Sequence, residues 1–379
     1  GNIFYMDFMD EGRQKAMDTK YIIWSPDRGY EPSELAEAKR IIDQGGLVAF
    51  PTETVYGLGG NGLQKEAARR IYAAKGRPSD NPLILHISRF SQLKGITRRI
   101  PDTAVRLAEA FWPGPLTMIF EKADCVPYEI TGGLETVAVR MPEHPGALEF
   151  LEAVSVPVAA PSANTSGRPS PTRAEHVRED LDRKIDMIID GGEVGIGFES
   201  TIVDLTSGLP VILRPGYITR QMVEEVVGEA AMDPALLSVE GDVAPKAPGM
   251  KYRHYAPKAQ MKVFCGEQEA VIAAINEVAR RLIHEDGILS EEIGILATEE
   301  TVAQYSVGQV VTAGSRRRDD VGRYLYGVLR RFDELHVKVI LSESFYDSAK
   351  EEAVMNRLLK AAGQQVIEVD NGDGVGDGL

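Results

Sequence analysis

Four stretches of the chain carry side chains that building a core does not require: PTETVYGL (51–58), KGRPSDNPLILHI (75–87), APSANTSGRPSPT (160–172), and the pair FESTIVDL (198–205) with ILRPG (212–216). KGRP sets Lys75 and Arg77 on a turn ahead of an apolar strand, with Pro78 and Pro82 restricting the backbone. Two cations so placed suit an anion, and taken alone they suit equally well a solvated helix end, where positive charge opposes the C-terminal dipole. PSANTSGRPSPT holds five hydroxyl side chains, one Asn and three Pro after the apolar run VPVAA. Such a position hosts ligand loops in α/β sheets, and by itself it also describes a surface loop of turn formers. Hydroxyl and backbone donors can hold phosphate oxygens without a Walker-type loop, and no GxxxxGK[ST] is present. Arg140, on TVAVRM, could hold a substrate carboxylate, although a strand arginine is more often a salt-bridged edge residue. His86 lies between apolar neighbours, where an isolated histidine is commonly a buried, hydrogen-bonded one. Apart from His254, the remaining histidines show no ligand spacing, so no zinc or iron held by protein side chains is expected.

These residues need a scaffold. SELAEAKRIIDQ (33–44) puts Leu35, Ala38, Ile41 and Ile42 on one helical face, with Ser33 as N-cap and Gly45-Gly46 as the stop. Apolar strand segments follow at LVAFPT, LILHI, LTMIF, TVAVRM, VPVAAPS, MIID, TIVDLT and VILRP. Helical stretches fall between them near 65–75, 102–111, 145–153 and 173–181. The pattern predicts an α/β domain with a large mixed sheet over residues 19–225. Residues 226–258 lose apolar periodicity and read as a linker. Beyond it, MKVF, IGILA, QVVTAG, VKVILS and QVIEV alternate with helices near 267–283, 316–335 and 348–362, which predicts a smaller parallel, Rossmann-like α/β domain over 259–370. No GxGxxG follows its first strand, which argues against a dinucleotide site. Residues 1–18 read as a loosely held extension, and the Gly- and Asp-rich residues 371–379 as a flexible tail.

At 379 residues, two domains are expected from a prior of roughly 150 residues each. A formal charge of −15 disfavours a protein that coats nucleic acid, because phosphate contacts require excess Lys and Arg. A local basic pocket is compatible with that total. Cys125 and Cys265 are the only cysteines, too few for a disulfide framework or a thiolate metal site, and they point to a reducing cytosol. No apolar run reaches the length of a membrane span, so no membrane association is expected.

The four stretches resemble the signatures of the YrdC-like threonylcarbamoyl-AMP synthases, whose Lys-x-Arg and Ser-x-Asn elements stand here as Lys75, Arg77, Ser162 and Asn164. PGMKYRHYAP (248–257) looks like the segment that joins the synthase domain to a smaller C-terminal domain in the long form of that family. The resemblance implies a YrdC-like synthase domain that condenses L-threonine with bicarbonate and activates the product with ATP as threonylcarbamoyl-AMP, for threonylcarbamoyladenosine in tRNA. It implies catalytic roles for Lys75 and Arg77. Arg77, Asn81, Thr136, Ser162, Asn164, Ser170, Arg214 and Tyr255 would face the nucleotide, and Thr54, His86, Arg140 and Ser200 the threonine. Mg²⁺ would be held mainly by the ATP phosphates, with no metal ligand from protein side chains.

The reaction implied can run without an enzyme nucleophile: an N-carboxylate formed from threonine and bicarbonate attacks the α-phosphate and expels pyrophosphate. The protein would position and neutralise charge. Tyr252, Arg253, His254 and Tyr255 would fold over the nucleotide as a lid or, alternatively, form a packed interdomain strap. A cytoplasmic location and delivery to a tRNA threonylcarbamoyltransferase complex follow from the resemblance, without stable tRNA binding. Two rival readings are an RNA-binding module, disfavoured by the acidic total, and a carbamoyl-adenylating carbamoyltransferase of the hydrogenase-maturation type, which normally brings cysteine-rich zinc modules.

Overall fold

The computed structural model describes residues 17–234 and 255–370. The linker residues Tyr252, Arg253 and His254 therefore lie outside the described residues, and only Tyr255 of the expected lid falls within them.

The first part of the chain forms an eleven-stranded sheet. Its strands are β1 (Lys20–Ile23), β2 (Val48–Phe50), β3 (Gly57–Asn61), β4 (Ile84–His86), β5 (Leu116–Glu121), β6 (Thr136–Arg140), β7 (Val158–Ala159), β8 (Met187–Asp190), β9 (Thr201–Asp204), β10 (Val211–Arg214) and β11 (Ala231–Met232). They are ordered β1-β8-β2-β3-β7-β4-β6-β5-β9-β10-β11. Parallel pairs such as β4 with β6 and β5 with β9 alternate with antiparallel ones such as β5 with β6 and β9 with β10. The sheet is therefore mixed, as the sequence predicts. Three of its strands were not visible in the apolar pattern: β1, β3 and the two-residue β11, which pairs with β10 inside the stretch 226–258 read as a linker. β1 is mostly exposed, and β3 reads GLGGN, with no branched side chains. The reason for glycine in β3 is space: a Cβ on Gly59 would stand 2.8 Å from Val158 Cγ1.

Helices cover the sheet where periodicity placed them, including Pro32–Asp43, Lys65–Lys75, Asp102–Phe111 and Pro145–Val154. The first begins two residues earlier than expected, with Glu31 rather than Ser33 as N-cap. Glu31 and Glu34 form a capping box, which satisfies backbone donors of the first turn from both ends. Ala38, Ile41 and Ile42 are buried against Phe50, Phe150 and Met187, so the expected apolar face is the one in contact.

The later strands, β12 (Gln260–Cys265), β13 (Ile293–Ala297), β14 (Gln309–Thr312), β15 (Val339–Ser342) and β16 (Val366–Glu368), form a five-stranded, wholly parallel sheet in the order β14-β13-β15-β12-β16. Helices Gln268–His284, Val321–Glu334 and Glu351–Ala361 connect them. Residues 316–320, expected to be helical, are a turn before Val321.

The two sheets are joined by close backbone approach and buried charge. Gly197, at φ +93°, lies so near the helix Val321–Glu334 that a Cβ there would stand 2.4 Å from Arg323 Cα. Arg330, 1% exposed, donates to both Asp180 carboxylate oxygens at 3.1 and 2.8 Å and to the Pro169 carbonyl at 2.8 Å. Arg168 reaches the same Asp180 from the other side. Removing Arg330 leaves the buried Asp180 with Arg168 as its remaining cation and deprives the Pro169 carbonyl of its donor. Arg330→Ala is therefore expected to destabilise the protein by on the order of 3 kcal/mol, measured as a shift of the urea midpoint. An unchanged midpoint would mean that the pair carries no net stability.

Candidate active site

The motif KGR begins at a helix end. Lys75 is the last residue of Lys65–Lys75, and Gly76 caps it in the left-handed region at φ 66°. That reversal sends the two flanking cations apart. Lys75 turns inward, where its Nζ donates to the carbonyls of Ser162 at 2.5 Å and Asn164 at 2.7 Å, and its own carbonyl accepts from Ser166 N at 2.8 Å. Arg77 turns the other way and donates to the carbonyls of Asn81 and Pro82, the latter at 2.8 Å.

The hydroxyl-rich loop is fixed to PTETVYGL by backbone pairing. Gly57 bridges Ser162, Leu58 N donates to Pro161 O, Ala163 N to Tyr56 O and Tyr56 N to Pro171 O. Neighbouring strands complete the arrangement. In the parallel pair β4 and β6, His86 stands in register with Arg140, and the antiparallel partner of Arg140 on β5 is Thr117. Thr117 Oγ1 lies 2.7 Å from Ser200 Oγ, just ahead of β9. Arg214, at the end of β10, donates to the Ser200 carbonyl at 2.9 Å and to its hydroxyl at 3.2 Å.

The result is one cavity of about 60 Å³ whose lining includes Thr54, Arg77, His86, Arg140, Ser162, Ser200, Arg214 and Tyr255 from the residues expected at the site, together with Thr52 and Glu199. Five expected residues do not line it. Lys75 lies behind the Ser162 loop. Asn164 helps anchor that loop, its amide donating to the carbonyls of Thr165 and Arg168. Ser170 is turned away, donating to Glu199 Oε2 at 2.6 Å. Asn81 gives its backbone carbonyl to Arg77, while its buried Oδ1 has no hydrogen-bond partner among the described residues. Thr136 stands at the far end of β6, about 13 Å along the strand from Arg140 at ~3.3 Å per residue.

Arg140 donates to Thr54 Oγ1 at 3.0 Å, to the Gly114 carbonyl at 3.2 Å, and to Glu53, with which it forms an ion pair. Glu53 also accepts from Glu143 N at 2.6 Å. Burial draws the Arg140 guanidinium down to about 9 and that of Arg77 to about 10, both still cationic at neutral pH. Arg214 is lowered too, first by burial. Burial, then the Arg77 charge, lowers the Lys75 ammonium well below its ordinary value. Among the described residues, no ion pair is seen for Arg77 or Arg214.

Glu199 was missed by sequence reasoning, which stopped at its neighbour Ser200. Burial opposes its ionisation, yet Arg357, Arg214 and the hydroxyls of Ser170 and Tyr326 hold its carboxyl below the ordinary value. Tyr326 and Arg357 come from the second sheet's helices, and nothing in their local sequence marks them. Tyr255, 4% exposed, stacks on Tyr326 with ring centroids 5.2 Å apart. It covers a cavity that is small beside the roughly 300 Å³ or more of an ordinary ligand pocket.

Residues 40–216 match the Sua5–YciO–YrdC family, described as "Telomere recombination", and residues 218–363 match the family described as "Threonylcarbamoyl-AMP synthase, C-terminal domain". The chain is 48% identical over 332 residues to the threonylcarbamoyl-AMP synthase of Pyrococcus abyssi, covering 88% of this chain and 95% of the relative. This chain belongs to the threonylcarbamoyl-AMP synthase family. The Bacillus subtilis synthase is 46% identical, with 88% and 94% covered. The crystal structure of P. abyssi Sua5 complexed with L-threonine superposes with a TM-score of 0.86 at 46% identity, covering 93% of this chain and 100% of that one. The synthase family is ATP-using and of the nucleotidyl-transfer type, and its two-part architecture is the one seen here.

Two buried histidines of this synthase, His86 and His176, and the half-buried His144 give its stability a defined pH dependence. Burial lowers His86 and His144 to about 4, and burial followed by Arg330 and Arg173 lowers His176 to about 3. In the unfolded chain each takes a proton near 6.5. As pH falls from about 6.5 to about 4, the unfolded state binds protons that the folded state refuses, so stability is lost across that window and retained above it. Tm is expected to fall steeply between about pH 6.5 and pH 4.5. His176→Gln, which keeps an acceptor for the Thr172 amide, is expected to flatten that fall. A slope identical to the parent's would exclude His176 as a source.

Proposed function

We propose that this enzyme makes threonylcarbamoyl-AMP and pyrophosphate from L-threonine, bicarbonate and ATP, within the cavity bounded by Arg77, Arg140 and Arg214. The observation that carries this reading is the burial of three guanidinium groups around one space, with Arg77 and Arg214 satisfied by neutral oxygens. Among the described residues neither of the two makes an ion pair, and buried cations held only by neutral oxygens are a site for an anionic ligand. ATP supplies the phosphates and threonine the carboxylate.

In this reading Arg140, held by Thr54 and Glu53, binds the threonine carboxylate, and Thr54 with Ser200 binds the amino acid's polar groups. A site that hydrogen-bonds a substrate hydroxyl discriminates strongly against analogues lacking it. His86, neutral at pH 7, serves as a hydrogen-bonding wall and not as a charge. Arg77, Arg214 and Ser162 face the nucleotide. The threonine amine adds to the bicarbonate carbon with loss of water, and an oxygen of the resulting N-carboxylate attacks the α-phosphorus as its bond to the pyrophosphate oxygen breaks. No step requires a protein nucleophile, and the chain's contribution is orientation and charge. Lys75 acts from behind, fixing the Ser162 loop through its carbonyls. Asn81, Thr136, Asn164 and Ser170 reach the nucleotide only with movement from the positions described, and Tyr255 must withdraw for ATP to enter.

Mg²⁺ travels with the ATP phosphates as part of the substrate. The carboxylates nearest the cavity, Glu53 and Glu199, are already taken by Arg140 and by Arg357, Tyr326 and Ser170. We further propose that the chain works in the cytoplasm and that its adenylate passes to a tRNA threonylcarbamoyltransferase complex. Free Cys125 and Cys265 fit a reducing compartment, and among the described residues no helix is long and apolar enough to cross a membrane.

The reading is tested by pyrophosphate release with ATP and Mg²⁺, omitting threonine or bicarbonate in turn. Dependence on both is expected, and Arg77→Ala is expected to cost about 100-fold in rate, the scale of losing one preorganised electrostatic donor. Release that proceeds without threonine, or an Arg77→Ala enzyme working at the parent rate, would refute it.

A further inference from the structure

Glu199 is the carboxylate that could silence the nucleotide site. It lines the same cavity as Arg214, and each perturbs the ionisation of the other. A buried carboxylate beside a buried guanidinium would pair with it, and a paired Arg214 would have little left to offer a phosphate. In the structure that pairing is not made. Arg214 gives its hydrogen bonds to Ser200 instead.

What occupies Glu199 comes from the second domain. Arg357, wholly buried on the helix Glu351–Ala361, donates from Nε to Glu199 Oε1 at 3.3 Å and from Nη2 to the Glu199 carbonyl at 3.0 Å. Its Nη1 donates to the Pro215 carbonyl, next to Arg214 in sequence. Tyr326 OH donates to the same Oε1 at 2.7 Å. The remaining oxygen, Oε2, takes the Ser170 hydroxyl. One guanidinium thus holds the side chain and backbone of the residue before Ser200, and the backbone of the residue after Arg214.

We propose that Arg357, assisted by Tyr326, is a positioning residue of the C-terminal domain that sequesters the Glu199 carboxylate and so keeps Arg214 available to the phosphates of ATP. The smaller domain is then part of the nucleotide site without touching the nucleotide. This rests on the assignment of Arg214 to ATP made above. It separates two roles that a simple interdomain contact would merge. A contact that only held the domains together would affect stability and all substrates alike, whereas sequestration affects ATP through one negative charge.

The experiment uses the full chain and steady-state pyrophosphate release, with KM for ATP and for threonine determined separately and Tm recorded for each variant. Arg357→Met is expected to raise the KM for ATP by roughly tenfold, the scale of losing a charge-assisted hydrogen bond, with a much smaller change for threonine. Adding Glu199→Gln removes the charge that Arg357 restrains, and is expected to restore most of the ATP affinity. Tyr326→Phe, which deletes one hydroxyl and is the variant to rely on if Arg357→Met does not fold, is expected to raise the KM for ATP severalfold and to be rescued by Glu199→Gln in the same way. Unchanged KM for ATP in the folded variants, or a rise that Glu199→Gln fails to reverse, overturns the proposal. Arg214→Ala separates this failure from failure of the underlying reading. If Arg214→Ala leaves the KM for ATP at the parent value, the assignment of Arg214 is wrong; if it raises that KM while Arg357→Met does not, only the sequestration is.

Discussion

Burying positive charge around a small cavity is expensive, and much of the synthase-domain architecture reads as the means of tolerating it. An isolated ion in low dielectric costs several kcal/mol even after relaxation. Arg77, Arg140, Arg214 and Lys75 are all buried. The chain stabilises most of this charge with backbone carbonyls: Pro82 for Arg77, Gly114 for Arg140, Ser200 for Arg214, Ser162 and Asn164 for Lys75. A carbonyl dipole lowers the cost of burial without cancelling the charge. That distinction matters, because a site neutralised by carboxylates would be more stable and less able to bind phosphate. Glu53 and Glu199 are the exceptions, and each has an arginine assigned to it.

The carbonyls are in place because of the mixed sheet. Strand ends that a purely parallel order would distribute differently are brought side by side by alternating pairings: His86 beside Arg140, Arg140 beside Thr117, Thr117 beside Ser200, and Ser200 beneath Arg214. Each link joins segments distant in sequence. A one-residue slip would turn Arg140 to the other face of the sheet, so register is fixed by the site as well as by the core. Gly76 does for the Lys-x-Arg element what the sheet does for the strands. Its left-handed conformation lets one cation brace the loop while the other lines the cavity.

Much of this was legible in the sequence, for physical reasons that also mark the limits. Helices with a clear apolar face, such as Pro32–Asp43 and Gln268–His284, were found because one face is buried and the period is 3.6. β3 escaped because its glycines serve close packing and carry no hydrophobic signal. At the site, eight of the expected residues line the cavity, and six of them lie in motifs whose polarity has no core-building reason; Arg140 and Tyr255 were reached only through the resemblance. The resemblance implied a catalytic role for Lys75 beside Arg77; the turn at Gly76, which leaves Lys75 bound to the Ser162 loop while Arg77 lines the cavity, is a backbone event. Glu199, Tyr326 and Arg357 could not be joined by any local pattern, since the link spans 158 residues and two sheets. Tyr326 and Arg357 sit on amphipathic helices where a polar residue facing inward is indistinguishable from one facing solvent.

Composition acquires a sharper meaning once the site is seen. The chain carries a formal charge of −15, yet the cavity between Thr54 and Arg214 gathers three guanidinium groups. Surface charge acts over a Debye length of about 8 Å at physiological salt, whereas charge in a dry cavity is screened far less. The acidic exterior therefore does little to the potential felt by a phosphate already inside, while it disfavours the long, many-phosphate contacts that bind nucleic acid non-specifically.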